Sequence, residues 1–351
     1  METKRNSVRN TGFDVIKMVS AYAVVCLHAT YPNGTFGESV RVLSRVAVPF
    51  FFMISGYYAY SSQPKTREKS IVKMRNHFFT LLLLSAAYIF IYGFSDLIKL
   101  QFPRSVRSSI LSVKWLLTNM GLAGHLWFLR ALLYMEIFMF LFEGWIRKID
   151  LKCPLALLWI TDVLLFKYSG LLFGFTIPQP YNEIITKYLL NACLYYLAGY
   201  YIRKNEYRFK QKARHITIGR HSLVLAVLAA LNICEYFFLE NLGANTMPVN
   251  YIFTMPLTIS TFMFGLLNPR LGEGSHLADW GQSISMYIYY WNPLLIRIGR
   301  KAASIIGNKA PFFKIWMTDN FFVIYAEALV LGLLIAALKK KWKRNGVRLL
   351  R

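Results

Sequence analysis

Residues 13–29 read FDVIKMVSAYAVVCLHA, and the fold turns on this stretch. It is long enough to cross a bilayer and mostly apolar. Yet Asp14 and Lys17 stand at its start and His28 at its end. Ionisable groups are costly inside a membrane, so those found in a span are functional candidates by default. Lys17 and His28 are separated by eleven positions. At roughly 100° per residue they return to one helix face, and at a rise of roughly 1.5 Å per residue they stand about 16 Å apart along it. They look along one surface from opposite halves of the membrane and do not touch.

The rest of the chain has the same character. Of 351 residues, 56% are hydrophobic and 16% aromatic. That composition describes a polytopic membrane protein rather than a soluble globule. Lys and Arg outnumber Asp and Glu by 41 to 17, a formal net charge of +24. The basic residues fall in short runs between apolar stretches, the pattern of topology signals and lipid headgroup contacts rather than of a nucleic-acid surface. Cys26, Cys153, Cys193 and Cys234 lie in or beside apolar segments without CxxC or Cys/His ligand spacing. They predict small buried side chains, with neither a disulfide framework nor a metal site. The leading METKRNSVRN is basic, and no small-residue cleavage site follows it. The first apolar stretch is therefore expected to be a retained span.

Ten apolar segments can be drawn: 13–30, 46–60, 77–94, 126–145, 153–168, 188–202, 222–240, 251–267, 283–298 and 321–338. The expectation is an all-α, polytopic bundle of about ten transmembrane helices forming a single domain over 1–351. Lys and Arg set the orientation. With the N-terminus cytoplasmic, the inner segments METKRNSVRN, SSQPKTREKSIVKMRN, RKIDLK, RKNEYRFKQKARH and KKKWKRNGVRLLR are each basic, whereas 170–183 and 241–250 carry neither Lys nor Arg. Residues 95–125 and the loop near Arg300 are basic on the other side and break the pattern. The balance places both termini in the cytoplasm, with 1–12 and 339–351 as basic tails of a multi-pass cell-membrane protein. The 95–125 connection alternates apolar and basic residues and suits an amphipathic helix on the membrane surface.

His28 has the pKa range of a general base at neutral pH, and it sits where an extracytoplasmic hydroxyl can reach it. The plainer alternative is a helix-end histidine bonded to water or a carbonyl. Lys17 is either a snorkelling anchor or a cation for a phosphate-bearing ligand. Asp14, three positions earlier, can pair with it. Arg45 opens the second span on the side of His28, after a short loop. It is either an interfacial anchor or a contact for an oxyanion or acidic acceptor. Within that span the Ser55-Gly56 pair allows close helix approach. Lys69, Lys73, Arg75 and His77 crowd the cytoplasmic start of the third span, as topology signals or as a nucleotide phosphate site. His125 and Trp127 lie at the outer interface. Glu136, Asp162, Glu235 and Glu327 sit within spans and should face the bundle interior.

Four stretches resemble the membrane acyltransferase-3 family. FDVIKMVSAYAVVCLHAT is similar to its opening helix, a basic residue and a histidine with ten residues between them, here Lys17 and His28. VAVPFFFMISGYYAY resembles its second helix, HLWFLRALL its His-Leu-Trp-Phe-Leu stretch, and DWGQSISMYIYYWNPLLI its late segment. That late segment often ends in His-Pro, and here Asn292-Pro293 stands instead, so no second catalytic histidine carries over. The paired arginines before the third helix are matched loosely by Lys73 and Arg75. The resemblance implies acyl transfer from cytoplasmic acyl-CoA, acetyl-CoA by family habit, to a hydroxyl of a cell-surface glycan or its lipid-linked precursor. It places Lys17, Lys73, Arg75 and Trp127 at the acyl-CoA, His28 as base, and Arg45 and His125 at the acceptor or oxyanion. No metal is implied. Membrane lipid, acyl-CoA and the saccharide acceptor are the expected partners. Two other readings compete: a transporter or flippase using the buried carboxylates, and a non-catalytic membrane subunit of a polysaccharide assembly complex.

Overall fold

The computed structural model describes residues 9–28, 34–60, 67–97, 127–243, 251–292, 295–296 and 321–344, except 176, 179 and 180. Every regular element among them is helical. In chain order the principal helices are α1 (Thr11–His28), α2 (Gly34–Ser44), α3 (Ala47–Ala59), α4 (Arg67–Leu97), α5 (Trp127–Ile146), α6 (Lys152–Thr161), α7 (Ala192–Lys204), α8 (Ile218–Asn241), α9 (Thr254–Leu267), α10 (His276–Ser283) and α11 (Phe321–Arg344). Among the described residues, three stretches are long and apolar enough to cross a membrane: Thr11–His28, Gly34–Ala59 and Ile218–Asn241. The amphipathic helix expected in 95–125 falls almost wholly outside the described residues.

Several boundaries differ from the sequence expectation. The short loop expected between His28 and Arg45 contains α2, whose Gly34 start has φ 74°, a conformation suited to glycine. Helix α4 begins at Arg67, so Lys73 and Arg75 lie on a helix rather than ahead of one. The fifth and sixth segments each contain a π-helical turn, Asp162–Lys167 after α6 and Ile185–Asn191 before α7. Pro49, Pro154 and Pro256 all fall in the first turn of their helices, where a missing N–H costs no intrahelical bond. The cysteines depart from expectation in part: Cys26 is buried, but Cys153 and Cys234 are exposed.

The chain divides into two compact units, Met1–Phe51 with Asn205–Arg351, and Phe52–Lys204. In the first, α1 packs on α2, α9, α10 and α11. Met18, Ala21, Val25 and Cys26 of α1 form a buried cluster with Ile284, Ile288, Ile324 and Ala328. Lipid tails are as apolar as leucine, so helices in a membrane associate through close packing rather than water exclusion, and small residues permit it. Gly281 supplies that contact: a Cβ there would fall on the Asp14 carbonyl.

The second unit uses the same device in reciprocal form. A Cβ on Gly56 of α3 would strike the Tyr196 carbonyl of α7, and one on Gly199 of α7 would strike the Met53 carbonyl of α3. The close approach expected at Gly56 is therefore present. Lys204 caps the end of α5 by donating to the carbonyls of Arg147 (2.7 Å) and Ile149 (3.1 Å).

Candidate functional site

Helix α1 carries Lys17 and His28 as one continuous rod, with Lys17 near its start and His28 its last residue. Asp14, buried, accepts from Lys17 Nζ at 3.0 Å and from Arg9 Nε at 2.7 Å. Arg9 also donates to Asp279 (2.9 Å) and to the Ala278 carbonyl (2.9 Å), which fastens the start of α1 to α10. Hydrogen bonds to Asp14 and then Asp279 hold the Arg9 guanidinium still further above its ordinary pKa. Two cations thus face two carboxylates at this end. The pairing expected between Asp14 and Lys17 is present, and Lys17 meets any ligand with one of its donors already engaged.

The opposite end of α1 is polar in another way. Thr11 N donates to the Pro269 carbonyl (2.9 Å) and Asn10 Nδ2 to the Gly265 carbonyl (3.2 Å), so the start of α1 lies against the end of α9. The end of α1 and the start of α9 consequently share the other side of the unit. His28 is exposed there. Around the same end, Cys26 and Ser44 of α2 are both buried. Glu38 of α2 accepts from Arg41 (2.6 Å) and from Tyr236 of α8 (3.3 Å). Arg45, in the turn between α2 and α3, lies over the Tyr251 ring at 5.2 Å, a cation–π contact. Its Nε is buried and has no hydrogen-bond partner among the described residues. Glu38, Arg41, Tyr236 and Tyr251 escaped the sequence reading. Their residue types are ordinary at a membrane interface, and only the fold brings them to the end of α1.

The second unit holds the other sequence-predicted positions. Lys73 Nζ bonds Glu136 at 2.7 Å, and His77 Nδ1 bonds its other oxygen at 2.8 Å. Lys73 and His77 are one turn apart on α4, so one buried carboxylate on α5 bridges both. Beside them a cavity of about 40 Å³ is lined by Ser70, Lys73, Glu136, Glu143 and Tyr196 among others. Arg75 is exposed on the same helix, and no ion pair involves it among the described residues. Trp127, the first residue of α5, is packed by Phe52 and Tyr188, with the Lys187 ammonium 5.5 Å from its ring centre. One turn on, Arg130 is almost wholly buried, a position that sequence reasoning passed over although a charge in an apolar run was its signal. His125 lies outside the described residues.

The remaining buried carboxylates have local partners. Glu235 accepts from the backbone N–H groups of Ile252 (2.7 Å) and Phe253 (3.1 Å), where it satisfies donors at the start of α9. Asp162 pairs with Lys167 at 3.3 Å, both buried. They are five positions apart, and the π-helical turn brings such positions into line. Glu327 is half-buried on α11. Asn292, at the place of the absent histidine, is fully buried and donates to the carbonyls of Ile288 and Tyr289 in its own helix. Structural contacts therefore account for three of the four carboxylates that motivated a transport pathway.

A family model described as an acyltransferase domain matches residues 10–341. Among curated proteins, the serine/alanine racemase of Enterococcus gallinarum is 28% identical over 137 residues, which cover 36% of this chain and 18% of that protein. The chain thus spans under a fifth of that relative's length. No solved structure matches significantly.

Proposed function

The chain belongs to the acyltransferase-3 family, and on that premise we propose that it transfers an acyl group, acetyl foremost, from cytoplasmic acyl-CoA to a hydroxyl of a cell-surface glycan or its lipid-linked precursor. The observation that carries this reading is a family match over nearly the whole chain that includes α1, with His28 exposed at its end. In this reading about ten helices cross the cell membrane with both termini in the cytoplasm. The donor enters from the cytoplasmic side, where Lys17, Lys73 and Arg75 hold the CoA phosphates, and Trp127 meets the acyl-CoA from the outer interface. Lys17 and Lys73 join phosphates to networks already anchored by Asp14 and Glu136, while Arg75 contributes an exposed guanidinium. The pantetheine arm spans the axial distance between Lys17 and His28 and brings the thioester to the outer half.

There His28 takes the proton of the acceptor hydroxyl as its oxygen attacks the thioester carbonyl carbon. The new C–O bond forms, and the oxyanion that develops on the carbonyl is stabilised by Arg45 or His125. The C–S bond then breaks, and the CoA thiolate leaves and recovers the proton from the His28 imidazolium. An ester and free CoA result. The experiment is to supply labelled acetyl-CoA to membranes containing the full chain, or the His28→Ala form, and count label in alkali-labile esters of the glycan fraction. The wild type incorporates label and the variant does not. Equal incorporation by both removes His28 from the mechanism, and no incorporation by either removes acetyl transfer.

A further inference from the structure

Asn232 of α8 is fully buried, and it escaped the sequence reading although a polar side chain in an apolar run was its signal. Its partner lies at the start of α9. The Thr254 hydroxyl takes the N–H of Tyr251 (2.8 Å) and gives its own proton to Asn232 Oδ1 (3.1 Å). That bond orients the side-chain amide and leaves Asn232 Nδ2 buried, with no hydrogen-bond partner among the described residues. Tyr251 links this amide to Arg45, whose guanidinium lies 5.2 Å from the Tyr251 ring centre and whose buried Nε is in the same condition. One group of residues thus holds two buried donors with nothing to donate to.

The acceptors of this group are already engaged. Glu235, one turn beyond Asn232 on α8, receives the N–H groups of Ile252 and Phe253, one on each oxygen. Glu38 receives Arg41 on one oxygen and Tyr236 on the other. A surplus of buried donors calls for an acceptor from outside. Charge selects its kind. Among the described residues of the group, the cations Arg41 and Arg45 are matched by the carboxylates Glu38 and Glu235. A phosphate or carboxylate would bring an uncompensated charge out of water, which is costly, whereas a carbonyl oxygen brings none.

The group also stands level with His28. Ala23 of α1, Ala229 of α8 and Leu257 of α9 line one cavity between α1 and α8. Both helices run antiparallel to α9: Thr11 bonds Pro269 from α1, and His221 bonds Ser260 while Glu235 bonds Ile252 from α8. From that shared level, Asn232 is three positions further along α8 and His28 five positions further along α1. At a rise of roughly 1.5 Å per residue they differ in height by about 3 Å across the gap.

We propose that Asn232 Nδ2 and Arg45 Nε together receive the carbonyl oxygen of the acyl thioester and stabilise the oxyanion, which makes Asn232 a further catalytic residue. The inference rests on the acyl-transfer reading and completes its oxyanion contact. As the acceptor oxygen bonds to the carbonyl carbon, the C=O π pair moves onto the carbonyl oxygen, and two fixed donors meet the charge where it develops. The pair then returns, and the C–S bond breaks with its electrons on sulfur.

The test observes the carbonyl itself. The full chain in detergent is loaded with acetyl-CoA isotopically labelled at the thioester carbonyl, without acceptor, and infrared difference spectra record the C=O stretch. Two donors should lower it below its value for free acetyl-CoA. Asn232→Leu and Arg45→Gln should each return part of that shift. They lie on different elements, so a folding defect in one leaves the other informative. Thr254→Val breaks the Asn232–Thr254 bond but keeps Nδ2, and the shift should remain. In single-turnover transfer Asn232→Leu should be slower by about 10²–10³, the loss typical of one oxyanion-hole donor. A stretch that stays at its free value overturns the proposal, as does one shifted equally in the wild type and both variants. A shift that Thr254→Val removes as fully as Asn232→Leu makes Asn232 a structural residue and overturns it too. A lowered stretch in a protein that transfers no acetyl group refutes the proposed function and not this inference. Transfer by Asn232→Leu at the wild-type rate refutes this inference and not the proposed function.

Discussion

Glu136 offers a quantitative test of how the second unit is held. Its side chain is 6% exposed, while Lys73 and His77, the two side chains that share it, are 45% and 36% exposed. The carboxylate therefore bears most of the desolvation, and either partner can recover solvation if released. This asymmetry makes the outcome of mutation depend on which partner is removed. Glu136→Gln keeps the shape and frees two half-exposed partners, so it should cost only about 1 kcal/mol. Lys73→Met with His77→Phe instead leaves a buried carboxylate facing no cation. Breaking a buried pair in that way costs about 3–5 kcal/mol. Adding Glu136→Met to that double variant should restore most of the loss, since an apolar side chain needs no partner there. The assay is reversible unfolding in mixed micelles followed by tryptophan fluorescence, and a Glu136→Met single variant closes the mutant cycle with the wild type, the double and the triple. A double variant within about 0.5 kcal/mol of wild type would refute the reasoning, because that is the scatter expected of independent sites. A triple variant as unstable as the double would refute it too, since the cost would then come from lost packing on α4.

Other contacts make separate predictions. Gly56→Ala and Gly199→Ala each place a methyl group on backbone that cannot swing aside, and each should cost about 1–3 kcal/mol in the same assay. The pair together should cost less than the sum, since the first substitution already parts α3 from α7. Glu235→Gln trades a charged acceptor of two backbone N–H groups for a neutral one and should cost about 1.5–3 kcal/mol. If Glu235 were a proton carrier rather than a cap, the variant would be stable and would lose proton-coupled flux in proteoliposomes.

Local sequence was enough to read α1, the Asp14–Lys17 pair three positions apart, and the small residue at Gly56. Each depends on helical periodicity within a few turns. Burial of Glu136, Asp162 and Glu235 also followed, because a carboxylate in an apolar run has few tolerable environments. Their partners did not follow. Glu136 meets His77 across 59 positions and Glu38 meets Tyr236 across 198, and periodicity says nothing of which helices adjoin. Glu235 was read as a pathway residue because its partners are backbone N–H groups, which every residue type supplies and no motif announces. Helix α2 was missed because GTFGESVRVLS mixes glycine and polar residues, and its packing on α1 and α8 outweighs that weak propensity. The π-helical turns have no compositional signature at all.

The central claim is that His28, at the end of α1, is the base for acyl transfer across this membrane domain. The most direct measurement is single-turnover transfer in proteoliposomes, with labelled acetyl-CoA on the cytoplasmic face and a lipid-linked saccharide in the bilayer. The account predicts label in an alkali-labile ester for the wild type. It predicts a rate lower by about 10²–10⁴ for His28→Ala, the range a general base contributes, with acetyl-CoA binding unchanged. A His28→Ala protein that transfers label at the wild-type rate would contradict it.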